Sequence, residues 1–352
     1  MKRSPFALLL LTLLALAACQ TGLPESQSTA TGPTASVVLD DLLNPVGLTV
    51  LEDGTLLVAE EGSGERDLSA GVTALLPDGR SGRFLADFPS SRDSGDLSGV
   101  PFVAYADGTL YTSHFRLGHL LTLELSLPLS LPDTPYTPDD MAPRMTPLNN
   151  VALVNPFGLT FSTIGLPVVS DATENGVAMM TNGGQTRFFH RFDPLPNPGE
   201  GKQTIDAVPT GIARNGDEYL VTLTGGCPFP AGGGRLVAID DNRNERLITE
   251  GLNMPIGVQL DANGTIWLLE FATFDSDAGC FTAEGYEPRT GRLSRLNAGG
   301  QPEIILTGLN FPGGLAFGPE GELYISETFS GRVLRFDGVE ALAANTPVGE
   351  LL

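Results

Sequence analysis

Phe311-Pro312-Gly313-Gly314-Leu315-Ala316-Phe317-Gly318-Pro319-Glu320-Gly321-Glu322-Leu323-Tyr324-Ile325-Ser326-Glu327 is the stretch that decides the fold. It reads as an apolar strand opened by Pro-x-Gly, a turn closed by glycine, and a second apolar strand that ends on a polar residue. The same unit recurs from Pro45-Val46-Gly47 to Gly54, from Pro156-Phe157-Gly158 to Gly165 and from Pro255-Ile256-Gly257 to Gly264, with nine residues from Pro to Gly each time. A fifth copy puts Gly99 in place of the proline and runs to Gly108. A sixth, Pro209-Thr210-Gly211, reaches Gly216 after losing two residues. Successive copies lie about 53 residues apart, a period that signals a repeat architecture.

The turns Asp53-Gly54, Asp107-Gly108, Asn215-Gly216, Asn263-Gly264 and Glu320-Gly321 supply hairpin chemistry between alternating apolar residues. Third strands follow at Gly234-Arg235-Leu236-Val237, Gly291-Arg292-Leu293 and Gly331-Arg332-Val333-Leu334, and fourth strands at 245–249 and 303–307. Four antiparallel strands per unit make a propeller blade, so the expected fold is an all-β, six-bladed β-propeller in one domain, residues 36–338. The last blade stops after its third strand, near Asp337. Val37-Val38-Leu39-Asp40-Asp41-Leu42-Leu43-Asn44-Pro45 parallels Ile304-Ile305-Leu306-Thr307-Gly308-Leu309-Asn310-Phe311-Pro312, so residues 36–43 are expected to complete blade six and hide the sheet edges of a monomer. Residues 339–352 are left as a C-terminal tail. Residues 127–150, with six prolines, are expected to form a solvated excursion within blade two.

Composition narrows the partners. Of 352 residues 41% are apolar, enough for a substantial core, and 42 acidic against 20 basic side chains give a formal charge of −22. With only two lysines the chain lacks the cationic footprint that a polyphosphate requires, which excludes nucleic acid as a partner. Lys2 and Arg3 precede the apolar run Phe6 to Ala18, which has the layout of a secretory signal. The run ends Leu16-Ala17-Ala18-Cys19, a bacterial lipobox pattern in which Cys19 carries the lipid. On this reading residues 1–18 are removed, 18 basic side chains face 42 acidic ones at −24, and residues 19–35 are a flexible tether. The exported protein then sits in the cell envelope, held to the membrane only by its anchor and facing the periplasm or exterior. Gln20 lacks the Asp that retains lipoproteins at an inner membrane, which favours an outer membrane where two exist. Cys227 and Cys280 fall in second-to-third-strand loops of adjacent blades and are expected to pair in an oxidising compartment.

In a propeller the Pro-x-Gly starts and the second-strand ends share a rim. Six residues past each turn glycine stand Glu60, His114, Asp171, Thr222, Glu270 and Glu327. Two readings of this ring stay open. Carboxylates and a histidine around one mouth can bind a cation or a ligand, or act as acid and base; a polar residue at one register also satisfies the amides of neighbouring loops. Trp267, Tyr324, Tyr111 and Tyr219 align three residues earlier, are placed at the same rim, and are read as inter-blade core. His190 falls in an outermost strand, and His119 lies near His114. Asp261-Ala262-Asn263-Gly264 begins like a calcium loop, but the remaining ligands do not follow. No Gly-x-Ser-x-Gly, His-Glu-x-x-His or Cys-x-x-Cys occurs.

Val208-Pro209-Thr210-Gly211-Ile212, Tyr219-Leu220-Val221, Leu223-Thr224-Gly225, Pro228-Phe229-Pro230 and the final blade resemble the ScyD/ScyE family of secreted propellers, related to NHL-repeat and gluconolactonase-like proteins. The resemblance implies export and a six-bladed propeller, and no particular reaction; Thr222 departs from the Glu usual in such repeats. Gluconolactonase-like enzymes hold a divalent metal from the x of Pro-x-Gly, and here those places are Val46, Val100, Phe157, Thr210, Ile256 and Gly313, which make no adequate ligand set. The expected function is a non-catalytic module binding a small molecule or protein at the rim. The alternative is a hydrolase or lyase acting through the polar ring, with Ca2+ as the candidate cofactor.

Overall fold

A computed structural model of the chain describes residues 32–352 apart from Ser94, Arg116 and Ser276; the signal, Cys19 and the tether up to residue 31 lie outside the described residues. Blade one comprises Pro45–Val50, Leu56–Glu60, Asp67–Leu75 and Ser81–Asp93, and blade two Val103–Ala106, Thr109–Ser113, Leu120–Glu124 and Ala142–Arg144. Blade three comprises Pro156–Phe161, Pro167–Asp171, Gly176–Met180 and Thr186–Arg191, and blade four Pro209–Asn215, Glu218–Leu223, Gly234–Asp240 and Glu245–Leu252. Pro255–Leu260, Ile266–Glu270, Gly291–Leu296 and Pro302–Leu309 make blade five. Pro312–Phe317, Leu323–Glu327 and Arg332–Asp337 make blade six, and Thr34–Leu39 completes it by antiparallel pairing with Arg332–Asp337. The six-bladed propeller closes as the sequence predicts, although the closing strand starts two residues before the expected boundary at Ser36.

The Pro-x-Gly motif has a physical explanation. Proline occupies the first position of the innermost strand, where no ladder donor is needed, and a β-bulge follows at once, between Pro45 and Leu48, Pro156 and Gly158, Pro255 and Gly257, and Pro312 and Gly314. The glycine lets neighbouring blades touch: a Cβ on Gly47 would lie 2.7 Å from Phe102 Cα, and one on Gly211 2.8 Å from Gly257 Cα. Second strands are covered on both faces, and every residue of Leu56–Glu60, Pro167–Asp171 and Leu323–Glu327 is buried. Hydroxyls stitch the stack, with Ser326 donating to Val46 O (2.6 Å), Thr328 to Pro45 O (3.0 Å) and Thr224 to Pro255 O (2.8 Å).

Two local expectations are corrected, and the C-terminal tail proves to pack on blade five. Residues 127–150 are a strap over the outer strands, not a solvated loop: Leu129 N–H donates to Asp53 Oδ2 (2.6 Å), Tyr136 exchanges backbone bonds with Phe84 and Ala86, Ala142–Arg144 pairs as the fourth strand of blade two, and Met145 is fully buried. Prolines suit such an edge cover because they leave few donors unpaired. The C-terminal tail is likewise packed: Thr346–Pro347 adds a parallel edge to blade five, and Val339, Leu342 and Val348 join the core cluster around Trp267. The aromatic series Tyr111, Tyr219, Trp267 and Tyr324 stands near the hairpin-turn ends of the second strands, on the face opposite the rim. Three residues at about 3.3 Å per residue carry a side chain roughly 10 Å along the strand.

Candidate functional site

Where the outer strand of one blade crosses to the inner strand of the next, backbone N–H groups are left without ladder partners, and the rim carboxylates meet them. Glu60 Oε2 accepts from Leu43 N (2.8 Å), Asp171 Oδ2 from Val154 N (2.6 Å), Glu270 Oε1 from Asn253 N (2.6 Å) and Glu327 Oε1 from Asn310 N (2.7 Å), each donor lying 17 residues before its acceptor. In three consecutive blades an arginine completes the arrangement: Arg292 on Glu270 (2.5 and 3.1 Å), Arg332 on Glu327 (2.6 Å) and Arg83 on Glu60 (2.5 Å). Glu60 also accepts from Thr73 Oγ1 (2.6 Å). These carboxylates are almost wholly buried while the arginines are partly exposed, so each pair pins a loop from beneath.

Asp171 has no arginine. It accepts from the amides of Val154, Asn155 and Glu174, and burial, the dominant influence, raises its pKa above the ordinary 3.8 against those hydrogen bonds. A carboxyl that binds its proton more tightly when folded contributes stability that is complete below its unfolded pKa and declines as pH rises through the folded one. Asp171→Asn does not titrate, so the difference in melting temperature between the natural protein and Asp171→Asn is expected to narrow from pH 4 to pH 7; a constant or widening difference would refute it.

Thr222 does not share this register. The ladder sets Leu223 opposite Pro209, as it sets Glu60 opposite Pro45, because blade four has a shorter hairpin and its paired strands are each one residue longer. Thr222 bonds instead to the Thr210 hydroxyl (3.0 Å) and Gly211 O, within the set that joins blades four and five. His114 follows the second strand of blade two and is buried. His190 does lie in an outermost strand, 3.0 Å from Glu245 of blade four. Among the described residues no three His, Cys, Asp or Glu side chains come together to hold a metal. Asp261 gives its oxygens to Asn263 N, Thr265 N and Trp267 Nε1. Val46, Val100 and Ile256 are buried, and Thr210 is held by Thr224 Oγ1 (2.8 Å).

The arginine partners were absent from the sequence reading, yet for Arg292 and Arg332 the signal was Gly-Arg opening a third strand, whereas Arg83 comes from a fourth strand. Gly-Arg recurs in blades four, five and six, and in blade four, where the register residue is Leu223, Arg235 turns to Glu250 (3.1 Å).

Above the pinned loops of blades five and six the rim carries an aromatic cluster. Phe271, Phe311 and Phe329 form a triangle with ring centroids 5.6, 6.0 and 4.9 Å apart, and Phe271 also meets Tyr286 at 5.6 Å. Phe229 and Phe274 lie in the same cluster, where the Cys227–Cys280 disulfide (Cα separation 5.9 Å) joins the loops of blades four and five. Phe329 is 48% exposed, and the rim loops of blade one expose Leu43 (43%) and Leu68 (60%). Three exposed large apolar side chains on one rim, over a rigid footing, form the candidate binding surface.

The class these features define is the six-bladed β-propeller. Similar solved structures are a candidate gluconolactonase (13% identical, 90% of this chain and 94% of that one covered, TM-score 0.55), a streptogramin B lyase (13%, 87% and 97%, 0.51) and a Bacteroides thetaiotaomicron protein of unknown function (9%, 87% and 76%, 0.56). Likeness at this identity establishes the fold alone. No family model and no curated protein matches the chain.

Proposed function

We propose that this chain is an exported, lipid-anchored propeller of the ScyD/ScyE kind that binds a protein or peptide, without catalysing a reaction, through the apolar rim of blades five, six and one. The observation that carries this reading is the arc Phe271, Phe311, Phe329, Leu43 and Leu68 displayed on loops that buried Glu–Arg pairs hold in place. Preformed aromatic anchors are what a protein interface uses for most of its affinity. The acceptor oxygens of Glu60, Glu270 and Glu327 are already occupied, which leaves them poorly suited to proton transfer or metal binding. The disulfide suits an oxidising envelope compartment, and Cys19 in its lipobox supplies the anchor. With a formal charge of −22, the complementary partner pairs apolar or aromatic side chains with basic ones.

Panning a displayed peptide library against the immobilised protein tests this. Enriched sequences are expected to combine aromatic and basic residues, and Phe329→Asp or Leu68→Asp should weaken their binding about thirtyfold, the factor for a hot-spot residue, with the melting temperature held. Peptides indifferent to both variants would sink the proposal. So would metal-dependent turnover of a lactone or phosphoester that vanishes in His114→Ala.

A further inference from the structure

We infer that the cleft between blades three and four, on the face opposite the rim, is a binding site for a small carboxylic acid with an apolar body. The cleft encloses about 540 Å³ between the turns of blade three at 162–166 and 181–183 and the blade-four residues Tyr219 and Asp241. Its walls are apolar at Leu166, Met179, Met180 and Phe189, and Ile164, 76% exposed, stands at its edge.

Comparison of the repeats points to the missing group. At the register of Tyr219, blade five has Trp267, whose Nε1 donates to Asp261 Oδ2 (3.0 Å), and blade six has Tyr324, whose hydroxyl donates to Glu322 Oε1 (3.4 Å). In both blades a carboxylate from the same hairpin receives the polar tip of the aromatic ring. Blade four supplies none: Glu218, next to Tyr219, is taken by Arg246 (2.7 Å), and the buried Tyr219 hydroxyl, beside the donor Arg214, has no acceptor for its own proton among the described residues. Such a group is costly to leave unmet. The Arg214 guanidinium stacks over the Tyr219 ring, 4.5 Å from its centroid, and neutralises Asp241 at 3.3 Å, so the one carboxylate lining the cleft is already matched.

A second donor waits at the wall. The side chain of Arg187 has, among the described residues, only the sulfur of Met179 as a partner (3.4 Å), a weak acceptor that is readily given up. In a chain of charge −22 with abundant carboxylates, an arginine beside an apolar cleft and without one of them is suited to an incoming anion. Burial raises the Tyr219 pKa above its ordinary 10.0, so the hydroxyl remains a donor at physiological pH. A carboxylate therefore meets Arg187 and, where the overlying side chains swing aside, Tyr219, while its apolar body lies along the methionines.

The site is separate from the rim, so its test is independent of the rim reading. Calorimetric titration of the full-length protein with 4-phenylbutyrate, and with 4-phenylbutanol as the uncharged control, is the measurement. The acid is expected to bind about tenfold more tightly than the alcohol, and Arg187→Gln and Tyr219→Phe should each remove most of that difference. Arg187 is exposed and Tyr219→Phe loses only an unmet hydroxyl, so both variants should fold, as their melting curves will report. Equal binding of acid and alcohol, affinity unchanged in both variants, or no heat with the acid overturns the proposal.

Discussion

Glu270→Ala is expected to cost about 1–3 kcal/mol of folding stability, read as a lower denaturant midpoint, because it removes the buried acceptor of a partly buried ion pair and of a loop amide. Two groups lose their acceptor at once: the Arg292 guanidinium, held at 2.5 and 3.1 Å, and the Asn253 amide at 2.6 Å. Glu270 is itself almost fully buried, so water cannot replace the lost bonds without opening the loop. Replacing both partners with apolar residues, as in Glu270→Leu with Arg292→Met, should recover a large part of the loss, leaving mainly the orphaned amide. Asp78→Ala is the control. Its partner Arg80 is 69% exposed, and no measurable change is expected there. A Glu270→Ala protein as stable as the natural one would mean that the rim carboxylates do not hold the loops, and the footing proposed for the binding surface would go with them.

The second large effect belongs to the disulfide. Cys227 and Cys280 are 53 residues apart in sequence, and in the loop-entropy model closing such a loop stabilises the fold by about 4 kcal/mol. Cys227→Ala with Cys280→Ala should lose about that much, the natural protein should lose it on reduction with a thiol, and the double variant should ignore the reductant. Because the cluster of Phe229, Phe274 and Phe281 lies beside this bridge, reduction should also weaken peptide binding at Phe329. A reductant that leaves the midpoint untouched would refute the stabilising role.

What the sequence disclosed was local. Pro-x-Gly, an Asp-Gly or Asn-Gly turn and alternating apolar residues each specify their own backbone, and repetition with one incomplete blade at each end dictates closure by the first strand. In Asp107-Gly108 both turn residues do take left-handed conformations. Counting from the turn glycine failed where the hairpin changed length: the shorter hairpin of blade four moved Leu223 into the place assigned to Thr222. The strap at 127–150 was misread because its anchors, Asp53, Phe84 and Ala86, lie far back in the chain and carry no mark of the residues that will cover them.

By itself the sequence determined six blades, their closure, the pairing of Cys227 with Cys280 and the presence of a polar residue at the end of most second strands. Only the tertiary structure decided what those residues do. The partners of Glu60, Glu270 and Glu327 come from loops and from third and fourth strands brought together by antiparallel pairing and blade-to-blade crossing. The same packing gathered the aromatic cluster above those carboxylates and left Tyr219 without the acceptor its counterparts have. Turn chemistry and strand alternation act over a few residues and can be read along the chain, whereas burial and hydrogen-bond satisfaction depend on which distant surfaces meet.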